Sequence, residues 1–273
     1  MTFVSAKVDT QLYVKDWGQG APVILIHGWP LDADMWEYQA LALAEAGHRV
    51  ITYDRRGFGR SCQPYVGYDY DTMAADLAKI IEAKSLTDVT LVGFSMGGGE
   101  VARYIGTYGT AKIKRAALIA SVVPFMLQTA DNPGADQKVF DDMKAGIRTD
   151  RAAFFADFGK TFYGADKAAD AVSQPILDWT LSLAMMGSIK ATLDCVDAFG
   201  TTDFRNDLEK FDVPTLLVHG TADEIVPIDI SARKAKKIKP DADLKEYEGA
   251  PHGLFMTHKD QLTADLLEFL KTS

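Results

Sequence analysis

A mostly parallel β-sheet covered by helices on both faces is the architecture this sequence predicts, and three observations predict it. Short apolar runs such as Val-Ile-Leu-Ile at 23–26 lack the alternation of a half-exposed strand, which marks strands buried on both faces. Segments with helical spacing separate these runs, which implies crossover connections and parallel pairing. At 273 residues, 47% of them apolar, the chain can bury a large core without disulfides or a structural metal.

In chain order, Phe3–Lys7 and Gln11–Asp16 alternate in hydrophobicity like an antiparallel hairpin, and Pro22–His27 is the first fully apolar strand. A helix over about Met35–Ala46 stops at Gly47, before a strand at Val50–Tyr53. Asp71–Lys84 is helical, with Asp71 or Thr72 as N-cap. Strand Val89–Phe94, helix Gly99–Tyr108 and strand Arg115–Ala120 follow. Strand-like runs then vanish between about Phe125 and Arg205, where helical patterns take over. Strand Thr215–Val218, a helix near Ile230–Ile238, strand Asp243–Tyr247 and a helix near Gln261–Leu270 complete the chain. The expected organisation is a core from residues 1–124 and 206–273 with a helical cap inserted at 125–205.

Charge narrows the function. Lys and Arg total 29 against 38 Asp and Glu, a net −9, which argues against a nucleic-acid surface or an anionic-membrane patch. Two cysteines, Cys62 and Cys195, cannot form a Cys₄ or Cys₂His₂ zinc site and are expected as free thiols. No basic start followed by an apolar run opens the chain, and no run nears the roughly 18 apolar residues of a membrane span, so a cytoplasmic protein is expected.

The strongest chemical signal is Gly93-Phe94-Ser95-Met96-Gly97, after an apolar strand and before a helix. That is the context of a nucleophile elbow, in which a sharp, strained turn lifts the Ser95 hydroxyl above the strand ends and leaves no room for side chains two residues away. A plain Ser-bearing turn is the competing reading of the short pattern alone. Gly97, Gly99 and Ala102 also match Gly-x-Gly-x-x-Ala, but the stretch Ile119–Val123 lacks the carboxylate that a ribose would need.

A serine needs a base and an orienting carboxylate. Of five histidines, His27 and His219 end buried strands as turn residues, His48 lies before a strand, and His258 sits near the last helix facing water. His252 follows strand Asp243–Tyr247 at the carboxyl edge of the sheet, where Ser95 emerges, and is the preferred base. Asp223, after strand Thr215–Val218, is the preferred acid and gives the order Ser…Asp…His; Glu224 and Asp229 are its rivals. The oxyanion donors expected are the backbone N–H groups of Met96, at the positive end of its helix, and of Trp29 in His27-Gly28-Trp29-Pro30. Pro30 has no N–H and restricts Trp29 to extended angles.

Together with Asp54-Arg55-Arg56-Gly57-Phe58-Gly59-Arg60-Ser61 and Ala250-Pro251-His252-Gly253, these motifs resemble the α/β-hydrolase superfamily, and within it the bacterial cofactor-free haloperoxidases (perhydrolases) and aryl esterases. The resemblance runs through essentially the whole chain. It implies Ser95, Asp223 and His252 as triad, Trp29 and Met96 as oxyanion donors, no metal or cofactor, and a homo-oligomer. Pro30 resembles the haloperoxidase-type members in particular, while Asp54–Ser61 reads as structural. Phe125, Phe158, Phe162, Ile225 and Val226 resemble the family's pocket lining, with core packing the alternative for each. The expected chemistry is cleavage of small carboxylic esters through an acyl-enzyme. Peracid formation from hydrogen peroxide and a lactamase activity on the same scaffold are the alternatives.

Overall fold

The computed structural model describes residues 2–6 and 10–271. Lys7, at the end of the first expected strand, lies outside them. The eight strands are β1 (Thr2–Ser5), β2 (Gln11–Trp17), β3 (Pro22–Ile26), β4 (Arg49–Tyr53), β5 (Val89–Phe94), β6 (Ile113–Ile119), β7 (Thr215–Gly220) and β8 (Asp243–Tyr247). They form one sheet in the order β1-β2-β4-β3-β5-β6-β7-β8. Strand β2 pairs antiparallel with both β1 and β4; every pair from β4–β3 to β7–β8 is parallel.

The helices are α1 (Glu37–Glu45), α2 (Tyr70–Ala83), α3 (Met96–Tyr108), α4 (Gln137–Thr149), α5 (Arg151–Tyr163), α6 (Gln174–Met186), α7 (Ile189–Thr201), α8 (Arg205–Leu208), α9 (Ala232–Ile238), α10 (Leu254–Thr257) and α11 (Lys259–Lys271). The continuous apolar strands have a simple cause: side chains alternate between two buried layers. Ile24 and Ile26 pack with α2 and α3, whereas Val23 and Leu25 pack with α1 and α11 on the opposite face.

Local expectations shift in three places. The N-cap of α2 is Asp69, not Asp71 or Thr72: its backbone is extended and its carboxylate accepts from Thr72 N at 2.8 Å. Helix α3 begins at Met96 rather than Gly99. Its three leading glycines are weak helix formers, but a Cβ at Gly97 would stand 2.5 Å from Ile26 O and one at Gly98 would stand 2.1 Å from Ser121 Oγ, so packing imposes them. The final helix starts earlier, at Lys259, behind the unexpected single turn α10.

Between β6 and β7 the chain adds no strand but the helices α4 to α7 and the short α8. Side chains of α4, α5 and α7 close over the carboxyl ends of the strands, where β3, β5, β7 and β8 deliver the loops of the candidate site.

Candidate active site

Ser95 joins β5 to α3 with φ 52° and ψ −118°, a left-handed backbone that costs a non-glycine residue on the order of 1–3 kcal/mol. The turn holds because its flanks are bare. A Cβ on Gly93 would lie 2.4 Å from Gly97 O, and one on Gly97 would meet the Ile26 and His27 carbonyls at 2.5 and 2.8 Å. Ser95 N donates to Ile119 O (2.8 Å) and Gly98 N to Ser95 O (3.0 Å), which anchors the bend to β6 and to its own helix. Met96 is the first residue of α3, so its N–H has no acceptor within the helix.

Two loops bring the partners of Ser95 to it. The β7 and β8 loops approach so closely that a Cβ at Gly220 would stand 2.0 Å from Ala250 O. Ala222 N donates to Ala250 O (3.1 Å) and Gly249 N to Thr221 Oγ1 (2.8 Å). Across this seam Asp223 Oδ2 lies 2.7 Å from His252 Nδ1, and His252 Nε2 lies 3.0 Å from Ser95 Oγ. All three side chains are buried. Asp223 Oδ1 accepts from Ile225 N (3.0 Å) and Val226 N (2.8 Å), which fixes the carboxylate plane. Burial alone would raise the Asp223 carboxyl. The facing His252 charge, then hydrogen bonds from His219 and His252, outweigh it and hold the group well below the ordinary carboxylate range. The rival acids are engaged elsewhere: Glu224 pairs with Lys167, and Asp229 with Arg233 at 2.9 Å.

The loop after β3 reaches the same point. A Cβ on Gly28 would fall 2.6 Å from Phe94 Cδ1 and 3.1 Å from Ser95 Cβ, so the Gly28-Trp29 backbone runs beside the nucleophile candidate. The Trp29–Pro30 peptide is cis, Leu31 N donates to Gly28 O (3.0 Å), and the indole N–H of Trp29 donates to Thr192 O on α7 (3.1 Å). Under this loop lies a buried network. Arg55 pairs with Glu100 at 2.7 Å, donates to His27 O at 2.8 Å, and Tyr53 donates to Glu100. His27 Nε2 accepts from Arg55 N at 2.9 Å. Burial, then the Arg55 charge, push His27 well below the ordinary histidine value, so it stays a neutral scaffold piece. Arg56 pairs with Asp76 (2.6 Å) and Arg60 with Asp54 (2.7 Å), in keeping with a structural segment at 54–61.

Ser95 and His252 open on a cavity of about 220 Å³. Phe158, Ile225 and Val226 line it. Phe125 and Phe162 do not, for different reasons. Phe162, one turn beyond Phe158 on α5, stands edge-on to the His252 imidazole with ring centroids 5.0 Å apart and packs against Phe94 and Phe255. It supports the histidine from behind. Phe125 is buried under the Arg205 guanidinium, 5.4 Å from its ring, while Val122 and Met126 take the cavity-facing positions around it. Phe140, Met143, Phe154 and Phe199, which no sequence motif marks, complete much of the wall with Trp29. Spacing could not select them, because the same helical period serves core and cavity alike.

The sequence predicts a turn role for His219, and Nε2 does lie 2.7 Å from Val226 O, but it also lies 3.1 Å from Asp223 Oδ2. The carbonyl demands a donor, so Nε2 carries a proton and the same N–H reaches the carboxylate. Only its place four residues before Asp223, at the end of the strand, hinted at this.

The α/β-hydrolase fold family matches residues 21–259. A non-heme chloroperoxidase of Kitasatospora aureofaciens is 45% identical, with 99% of each chain covered. A bifunctional esterase/perhydrolase of Acinetobacter calcoaceticus is 39% identical, with all of both chains covered. The crystal structure of a bromoperoxidase from Bacillus anthracis superposes with a TM-score of 0.96 at 46% identity, with 99% of each chain covered. By sequence over its whole length and by architecture alike, the chain belongs to the α/β-hydrolase family.

Proposed function

We propose that the protein is a serine esterase for small, uncharged carboxylic esters, and that its acyl-enzyme can also be captured by hydrogen peroxide. The observation that carries this is the hydrogen-bonded line Asp223–His252–Ser95 ending at an apolar cavity. His252 Nε2 takes the Ser95 proton as Oγ attacks the ester carbonyl, while Asp223 holds the imidazole by Nδ1. The oxyanion is received by the N–H groups of Met96 and Trp29. His252 returns the proton to the leaving alcohol. Water, deprotonated in turn by His252, then releases the acid. Peroxide in the place of that water releases a peracid, which can oxidise halide in solution. The names of the relatives support both outcomes, since they include haloperoxidases and an esterase/perhydrolase.

Residues 125–205 act as a cap in this scheme, and the lining from α4, α5 and α7 suits aryl or alkyl groups without charge. A cytoplasmic location is part of this proposal; among the described residues no helix is long and apolar enough to cross a membrane. Family resemblance points to a homo-oligomer, which sedimentation velocity would read directly.

The test is a panel of small esters and lactams, each assayed with and without peroxide, on the protein and on Ser95→Ala. Loss of the nucleophile should lower kcat by at least about 10³-fold and remove labelling by a serine-directed phosphonate. Unchanged turnover in Ser95→Ala would refute the reading.

A further inference from the structure

Among the residues lining the cavity are two thioethers, Met126 from the segment after β6 and Met143 from α4. They share that wall with Ser95 and His252. Met126 is 3% exposed and Met143 is half-buried, and both are on the cavity wall. Two other methionines, Met185 and Met186 at the end of α6, are 37% and 44% exposed and lie outside it. The protein thus carries one methionine pair facing its reaction chamber and one facing bulk water.

Thioether sulfur is a soft nucleophile, and a peracid is an electrophilic oxygen donor. The remaining lining is mostly hydrocarbon and offers the oxidant no competing sulfur. We propose that Met126 and Met143 are sites of self-inflicted oxidation, modified by the peracid made at Ser95 before it leaves the cavity. The sulfur lone pair attacks the terminal peroxy oxygen. The O–O bond breaks, the S–O bond forms, and the peroxy proton ends on the departing carboxylic acid. Sulfur loses two electrons and the peroxy group gains them. Each event replaces an apolar contact by a polar, chiral sulfoxide. In a chamber built for uncharged substrates this weakens substrate binding. The peroxide-dependent reaction therefore limits itself, while ester hydrolysis without peroxide does not. The inference rests on the peroxide branch of the proposed function.

The test uses the intact wild-type protein, a small ester and hydrogen peroxide, with excess free methionine to intercept peracid that reaches solution. Peptide mass spectrometry then reads sulfoxide at each position; Met126, Met143 and the Met185–Met186 pair fall on separate tryptic peptides. Controls are peroxide without ester, and Ser95→Ala with both. The expected result is sulfoxide at Met126 and Met143 several-fold above that at Met185 and Met186, growing with turnovers and absent from both controls. If free methionine is oxidised in an ester-dependent way while Met126 and Met143 stay intact, or lag behind the exposed pair, the peroxide branch stands and the inference is overturned. If free methionine shows no ester-dependent oxidation, no peracid forms, and the peroxide branch and the inference fall together.

Discussion

At Gly97 a single hydrogen decides whether the Ser95 turn can exist, because the Cβ of any other residue would sit 2.5 Å from the Ile26 carbonyl. Backbone cannot retreat there without disturbing β3, so Gly97→Ala should cost roughly 1–3 kcal/mol in a denaturant titration. It should also reduce phosphonate labelling of Ser95 in the protein that remains folded. His219 matters through a different route. Its N–H is one of four donors around Asp223, together with His252 and the Ile225 and Val226 amides. Facing it are also Ser231 at 3.5 Å and, on the neighbouring strand, Glu246, which is drawn off by Arg233. His219→Phe removes the donor and leaves the carboxylate less neutralised, so the His252 imidazolium gains stability. The acidic limb of kcat/KM should then move to higher pH. His219→Gln, whose amide keeps a donor, should leave that limb near its original place. An unmoved limb in a folded Phe variant would reduce His219 to a packing residue.

Among the elements, α5 does two jobs with residues one turn apart. Phe158 meets the Trp29 ring at 5.4 Å on the cavity side, and Phe162 meets His252 at 5.0 Å on the other. Phe158→Ala should therefore enlarge the cavity without touching the triad geometry. KM for the smallest esters should rise while kcat changes little, and bulkier esters should gain relative kcat/KM, by on the order of 10-fold or more. A loss confined to kcat would instead mean that α5 sets the geometry of the reacting groups. The helical character of this region was legible in the sequence, since no strand-like run occurs between Phe125 and Arg205. Which of its apolar residues face the cavity was not. Phe154, Phe158 and Phe162 recur at the same four-residue spacing, and only the depth of each turn above the sheet distinguishes wall from support.

For the whole molecule, buried carboxyls shifted in opposite directions contribute to pH dependence, and Asp223 and Asp32 show the two cases. Asp223 is lowered, so its contribution to stability is complete above the ordinary aspartate value and fades as pH falls below it. Asp32 is raised to about 7 by burial and then by the nearby Asp54 charge; one of its oxygens accepts from Asp34 N, and the other is buried without a partner. The folded state binds that proton more tightly than the unfolded chain. Stability is therefore lost as pH rises from about 4 to about 7, at most roughly 1.4 kcal/mol per pH unit, and levels off above. Thermal melts of Asp32→Asn should exceed the wild type at pH 8, with the gap closing toward pH 5. A gap independent of pH would assign the effect to packing rather than to charge.

The sequence by itself determined the buried strands, their alternation with helices, and the placing of Ser95 on a strand-to-helix turn. These are local facts: hydrophobic period and glycine spacing act over a few residues and need no partner. It also pointed to Asp223 and His252 by their places after strands, because loops at one edge of a parallel sheet are gathered by topology before any side chain is placed. Only the tertiary structure decided that His219 touches Asp223, that Arg55 and Glu100 brace the loop beside Ser95, that Phe162 supports His252, and that Met126 and Met143 face the cavity. Each joins segments far apart in the chain or depends on which way an apolar side chain turns, and packing of the finished core settles such choices after local preference has been satisfied.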